Sequence, residues 1–425
     1  ICYHLVKSLI ISKNNIIGLD NINDYYGRKI KYDRIKILRK FKKFRFFKLD
    51  LNNNKILKNK IDEFKKKIEI IVHLAGQAGV RYSIINPRIY IKDNILSYVN
   101  LLDFFKDSSK IKLILYASSS SIYGELNSKN SISAKPQNKP ISVYSASKLS
   151  MELISNAYNS LYNLKFVGIR FFTVYGPWGR PDMFYYKFLK HIYNKKLIKI
   201  FNFGNHKRSF TYIDDVIDNL FRIINKFRNS KKSICEVFNI GNPNSIELKK
   251  FIKIIEDKVD RKALKKYTKK NLGEVTTTKA NINRERKIFN HKIKIPVEKG
   301  VEKVLQKMQT QSMPPPGRPR PDAETYEAFA LWAQTELDNA AARAPNPGRP
   351  TMHRLNRLEY ANAIRDLIGI ENLAMQSASD SSPLDSLSAS VTLSTVSDIN
   401  NMRLSKAIDY IYECLRPTKS FILYD

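Results

Sequence analysis

Ile68-Glu69-Ile70-Ile71-Val72-His73-Leu74 is a strand-length run of apolar and β-branched side chains, and residues 89–107 behind it carry a helical period. The same alternation spreads outward in both directions. Strand-like runs occupy 16–19, 44–49, 112–117 and 165–171, and a second helix is expected over 144–162. Strands alternating with helices predict an α/β fold built on a doubly wound parallel sheet. Ligands of such sheets sit beyond the carboxyl ends of the strands, which is where His73, Ser119 and Thr173 fall. Past residue 180 the pattern is more mixed, with a helix expected over 213–226 and a short strand over 237–240.

Tyr144-Ser145-Ala146-Ser147-Lys148 carries the most chemistry. At (i, i+4) on a helix Tyr144 and Lys148 share a face. A nearby ammonium favours the phenolate and lowers a pKa that is ordinarily about 10, so Tyr144 suits the role of general base. Ser119, where an apolar strand meets its loop in Tyr116-Ala117-Ser118-Ser119-Ser120-Ser121-Ile122-Tyr123-Gly124, adds a hydroxyl that could hold a sugar alcohol. Alone, the Tyr/Lys spacing equally describes a surface pair in a Lys-rich chain, and Ser118 and Ser120 compete with Ser119 for its role.

Five segments recur in a fixed order. They are Val72-His73-Leu74-Ala75-Gly76-Gln77-Ala78-Gly79-Val80-Arg81-Tyr82-Ser83, the Ser119 segment, Tyr144 to Lys148, Arg170-Phe171-Phe172-Thr173-Val174-Tyr175-Gly176-Pro177-Trp178-Gly179-Arg180-Pro181-Asp182, and Lys207-Arg208-Ser209-Phe210-Thr211-Tyr212-Ile213-Asp214-Asp215. Together they resemble the extended short-chain dehydrogenase/reductases of the NAD-dependent epimerase/dehydratase family, most of all UDP-glucuronate 4-epimerases, over roughly residues 1–305. The resemblance implies a Rossmann domain at 1–180 interleaved with a smaller α/β substrate-binding part at 181–305. It implies NAD as cofactor, a UDP-sugar as substrate, and inversion at the sugar's C4 through a 4-keto intermediate. Tyr144, Lys148 and Ser119 would be catalytic. Asp20, Asp50, Leu51, Leu74, Ala75, Gly76, Gln77, Asn94, Lys148 and Phe171 would line the cofactor, and Arg81, Ser119, Thr173, Arg180 and Arg208 the substrate. Arg180 suits a sugar carboxylate because a guanidinium matches a planar carboxylate in bidentate geometry. Arg208 would face the diphosphate. His73 reads as a packed residue. A homodimer through the helices at 89–107 and 145–162 is also implied.

The chain opens Ile1-Cys2-Tyr3-His4-Leu5-Val6-Lys7-Ser8-Leu9, which resembles the helix that follows the family's glycine-rich phosphate turn. Cys2 stands at the place of the third glycine. The expectation is a Rossmann sheet with its first, central strand truncated and poor retention of NAD, since those glycines let the backbone approach the pyrophosphate.

The formal charge of +35 is unevenly spread: residues 306–425 carry 12 Lys and Arg against 14 Asp and Glu, so the whole excess lies in the first 305. There Lys is interleaved with Ile and Asn instead of forming a stripe with aromatics, which argues against nucleic acid as a partner. Cys2, Cys235 and Cys414 show no disulfide or zinc spacing, and no apolar run approaches 18 residues, so a cytoplasmic protein with no membrane partner is expected.

The language of the sequence changes near residue 306. A Pro-rich linker is expected at 306–321, helical segments over 322–370, a Ser-rich disordered stretch at 371–400, and a short helix and chain end at 401–425. Residues 313–369 resemble the junction between a c-type cytochrome domain and a helical domain in large planctomycete-type proteins. No Cys-x-x-Cys-His is present to attach haem.

Three rivals to the epimerase remain at this stage. A nucleotide-sugar 4,6-dehydratase would need an Asp-Glu pair where Ser120-Ser121 stand, and a reductase fits Trp178 and Arg180 less well. A catalytically impaired, truncated or chimeric interaction protein is what the missing turn and the foreign tail favour.

Overall fold

Side chains alternate along each sheet strand between two cores. Ile70, Val72, Leu113, Leu115, Val167 and Ile169 face one, and Ile71, Ile114, Tyr116 and Phe166 face the other. That period of two, buried on both sides, is what a parallel sheet between helical layers requires. Helices Cys2–Ile11 and Ile213–Phe227 contribute to the first core. Asn54–Lys65, Ser97–Phe105 and Val143–Tyr162 contribute to the second. The computed structural model describes residues 1–125, 138–270, 273–309 and 420–424. The chain divides into two compact units, one of Ile1–Arg318 with Cys414–Asp425 and one of Pro319–Glu413. All described residues belong to the first. The helices and Ser-rich stretch expected within 310–419 lie outside the described residues.

Among the described residues one sheet has seven strands. From one edge they run Cys235–Ile240, Phe166–Phe171, Leu113–Ser119, Ile70–His73, Ser420–Tyr424, Asn15–Asp20 and Phe44–Lys48. Every neighbouring pair is parallel. The sequence predicts a truncated central strand and, over 401–425, a short helix and chain end. Ser420–Tyr424 occupies that position, with Ile422 opposite Ile17 on one side and Ile71 on the other. A run of four apolar residues names no partner by itself, and only the two open ladders beside it identify its place.

Two further boundaries differ. The helix expected over 89–107 is broken into Pro87–Tyr90, a π-turn at Ile91–Leu96 and Ser97–Phe105. The helix Val297–Gln309 runs past residue 306, where the linker was expected to begin. The smaller part is held by two-stranded ladders. Thr173–Tyr175 pairs with Phe210–Tyr212, Lys207–Arg208 with Ile246–Glu247, and Ile198–Phe201 with Lys265–Thr268.

Candidate active site

Helix Val143–Tyr162 begins in a capping box, the Ser142 hydroxyl accepting from the Ser145 amide while the Ser145 hydroxyl accepts from the Ser142 amide. This satisfies two first-turn donors and sets where Tyr144 and Lys148 leave the helix. The neighbouring strand is locked to the same helix by a buried bidentate pair. Arg170 Nε and Nη2 donate to Glu152 Oε1 and Oε2 at 2.9 and 2.7 Å, and Ser118 Oγ donates to the same carboxylate at 2.5 Å. Ser118 is therefore committed to the frame. Ser119, one residue on at the strand end, lies 2.9 Å from Ser121 Oγ, and its hydroxyl lowers the pKa of the Tyr144 phenol.

Burial pushes the Tyr144 phenol above its ordinary pKa, and the Ser119 hydroxyl and the Arg180 guanidinium pull it back. Arg180 is a cation that acts on the phenol. Lys148 is buried, its pKa lowered to about 8 by loss of solvent. Its ammonium lies against the turn after Ile70–His73: a side chain at Gly76 would come within 3.4 Å of Lys148 Nζ and 2.5 Å of Asn94 Oδ1. Gly76 has φ +142, so only glycine fits there without strain.

Asn94 holds this turn from the π-turn of the neighbouring helix. Its Oδ1 accepts from the Gln77 amide at 2.6 Å, and its Nδ2 donates to the Gln77 carbonyl at 3.1 Å and to Ser147 Oγ at 2.8 Å. Leu74 and Ala75 are half-buried and Gln77 buried beside it. A π-turn re-aims a side chain relative to a regular helix, and here it places one amide on both the turn and the catalytic helix. His73 is fully buried and stacked on Tyr98 with ring centroids 5.0 Å apart. Its pKa is lowered to about 3 by burial and then by the charge of Lys148, so it packs as a neutral ring.

Farther along the sheet edge stand the expected adenosine-side groups. Asp20, buried at its strand end, accepts from the Ile22 amide at 2.6 Å and lies 3.5 Å from Lys31 Nζ. Asp50 accepts from the Asn52 amide at 2.9 Å, next to buried Leu51. Asn52 Nδ2 also reaches Asp93 at 3.3 Å, and Asp93 is raised in pKa by burial and by the charge of Asp50.

On the substrate side Thr173, half-buried just after Phe171, is fixed through its amide to the Ser209 carbonyl at 3.1 Å. Arg180 Nη2 donates to Asp182 at 3.0 Å, and its guanidinium lies 5.9 Å from the Tyr25 ring centre. Arg208 donates to the carbonyls of Val275 and Thr276 at 2.6 and 2.8 Å, and burial lowers its pKa to about 10. Carbonyls orient the guanidinium without neutralising it, which suits a group that is to meet an anion. Arg81 is paired with Glu274 and lies 4.1 Å over the Phe201 ring. Tyr25 and Glu274 were not singled out in the sequence. Only their contacts with Arg180 and Arg81 mark them.

The residues present fit a nicotinamide dinucleotide. Acidic Asp20 closes a strand next to the central one, a turn that admits only glycine at Gly76 lies at the next strand on the other side, and a buried ammonium faces that turn. Residues 1–241 match the NAD dependent epimerase/dehydratase family. The chain belongs to that family. It is 41% identical to an uncharacterized protein of Methanocaldococcus jannaschii, over 71% of this chain and 90% of that one. It is 37% identical to a UDP-glucuronate 4-epimerase of Thermodesulfobacterium geofontis, over 68% of this chain and 87% of that one. A crystal structure of UDP-glucuronic acid 4-epimerase from Bacillus cereus with UDP-glucuronic acid and NAD superposes with a TM-score of 0.65 at 28% identity, covering 73% of this chain and 96% of that one. Among the described residues no helix is long and apolar enough to cross a membrane.

Proposed function

We propose that this epimerase-family protein inverts C4 of a UDP-sugar with NAD, and that its substrate pair is UDP-glucuronate and UDP-galacturonate. The observation that carries the reading is that one helix bears Tyr144 and Lys148, with Lys148 Nζ against the Gly76 turn and the Ser119 hydroxyl and Arg180 acting on the Tyr144 phenol. NAD, when bound, supplies the acceptor and donor of the C4 hydride. Tyr144 takes the proton of the 4-hydroxyl and later returns it, and Ser119 orients the oxygen. The buried ammonium of Lys148 faces the Gly76 turn, where it would bond the nicotinamide ribose. Asp20 would accept from adenosine ribose hydroxyls, and Asp50 would meet the adenine. Arg208 would hold the diphosphate and Arg180 the sugar carboxylate.

Relatives named for glucuronate support the choice of sugar. Against a dehydratase, the position beside Ser119 offers the Ser121 hydroxyl and no carboxylate pair. A homodimer is also proposed, because Ile91, Leu96, Leu153 and Leu161 leave apolar side chains exposed on the two helical stretches expected to pair. Light scattering of wild type and Leu153→Glu tests it: the variant should run at half the mass.

The function is tested by denaturing the purified chain, detecting released NAD by mass spectrometry, and following UDP-glucuronate by chromatography. UDP-galacturonate should accumulate to equilibrium without net reduction of NAD. Consumption of substrate with loss of water, or no product with NAD added, would sink the reading.

A further inference from the structure

We propose that Asp182 is a specificity-determining residue: it is the resident counter-ion of Arg180, which a carboxylate-bearing sugar must share and a neutral sugar leaves undisturbed. The inference rests on the reading of Arg180 as the seat of the sugar carboxylate, and concerns what that seat holds before substrate arrives.

The loop between the strand Thr173–Tyr175 and the helix Phe184–Tyr193 carries both groups. The Met183 amide donates to the Arg180 carbonyl at 3.2 Å, a turn that brings residues 180 and 182 side by side. Arg180 Nη2 donates to Asp182 Oδ2 at 3.0 Å, and the two side chains are 28% and 26% exposed. A partly buried pair is screened less than a surface one. Asp182 Oδ1 is buried and accepts no hydrogen bond among the described residues, so the bond from Arg180 is this carboxylate's hold.

The course of the loop has other supports. His4 Nε2 lies 2.8 Å from the Pro177 carbonyl, the Trp178 carbonyl accepts from Arg34, and the backbone at Gly179 lies so close to the Tyr185 hydroxyl that a Cβ would collide with it. The guanidinium has other neighbours as well, the Tyr25 ring centre at 5.9 Å and Met183 Sδ at 3.7 Å from Nη2. Removing the charge of Asp182 therefore leaves Arg180 seated and changes what its charge is free to meet.

Arg180 acts on the Tyr144 phenol, which would serve the hydroxyl on C4. The C6 group hangs from C5, the next carbon of the ring, so a C6 carboxylate comes within reach of the same guanidinium. Its arrival puts two carboxylates on one cation, and like charges brought together in a partly desolvated site repel. A neutral CH2OH group leaves the Arg180–Asp182 pair as it was. Specificity is a difference of affinities, and Asp182 acts on one side of that difference, weakening the hold on uronates. Both epimers carry the carboxylate, so the product is loosened as much as the substrate.

Titration calorimetry of the NAD-loaded protein with UDP-glucuronate, UDP-glucose and UDP tests this. Asp182→Asn and Asp182→Ala should each tighten UDP-glucuronate by about tenfold, with UDP-glucose and UDP unchanged within about twofold. Asp182→Glu keeps the anion and should bind all three as wild type does. UDP is the control for an intact site, since it has no sugar carboxylate. UDP-glucuronate bound equally or more weakly by the Asn and Ala variants, with UDP unchanged, overturns the proposal, because Asp182 would then only orient Arg180 or do nothing. Loss of UDP binding in both overturns it too, because the residue would be holding the loop together. Arg180→Met separates the two readings. If that variant still prefers UDP-glucuronate as wild type does, the carboxylate reading of Arg180 fails and the inference falls with it. If the preference is lost there but Asp182→Asn tightens nothing, only the inference fails.

Discussion

The Tyr144 corner and the Asp20 side of the sheet are built in opposite ways. At the first, Ser118, Glu152 and Arg170 are bonded directly to one another, and they frame Ser119, Tyr144 and Lys148 on one strand, its neighbour and the helix between them. At the second, Asn15–Asp20 pairs with Ser420–Tyr424, a segment far along the sequence. Local connection makes the Tyr144 corner independent of how the rest of the chain is ordered. The Asp20 side depends on a distant strand finding its slot. The difference teaches that candidate site residues can be grouped in sequence while the sheet beneath them is assembled from distant segments.

The largest expected effect sharpens that contrast. Tyr144→Phe removes the proton acceptor and should lower turnover by about a thousandfold while co-purified NAD stays at the wild-type level. A parallel loss of NAD would mean that the two corners are not separable. Next, Arg170→Met strands the Glu152 carboxylate in a buried frame and should cost about 3–5 kcal/mol of stability, read as a lower denaturant midpoint. The damage should be to the whole fold, because the pair ties strand to helix. Asn94→Ala leaves the Gln77 amide and carbonyl without their partner and should cost about 2–3 kcal/mol. It is the one change expected to weaken both corners, lowering turnover and NAD retention together.

Asp20→Ala acts on the Asp20 side alone. It should weaken NAD by about tenfold, measured by titration of cofactor-stripped protein, with turnover at saturating NAD little changed. The smallest effect concerns pH. Arg180 pulls the Tyr144 phenol down against burial, so Arg180→Met should raise that pKa and move the acid limb of kcat/KM to higher pH by about a unit or less.

Much of this was legible in the sequence because it is local. The strands at 16–19, 44–49, 112–117 and 165–171 lie within a few residues of their observed bounds, since apolar runs of that length have few other solutions in an alternating chain. Tyr144 and Lys148 share a helix because four residues make about one turn. What was not legible is relational. The order of the sheet depends on which ladder a strand enters, and nothing within Phe421-Ile422-Leu423-Tyr424 states that its neighbours are 16–19 and 70–73. The nearness of Arg180 to Tyr144 is set by the path of the chain through Trp178, which no local spacing states. Ser118 and Ser119 are chemically alike, and only the reach of Glu152 separates frame from site.

The π-turn at Ile91–Leu96 makes the helix that carries Asn94 an indexing piece. Tyr90 before it bonds the Ala78 and Gly79 carbonyls, Asn94 within it holds Gln77, and Ser97 after it is buried against the core. A regular helix turns about 100° per residue, so deleting one residue from this stretch would tighten it to the ordinary period and rotate everything on one side by that angle. Either the Tyr90 phenol or the residues from Ser97 onward would then leave their partners. Length changes in this protein should therefore be tolerated in its surface loops and rejected here, where a single residue sets the phase between the cofactor turn and the face of the helix that the core receives.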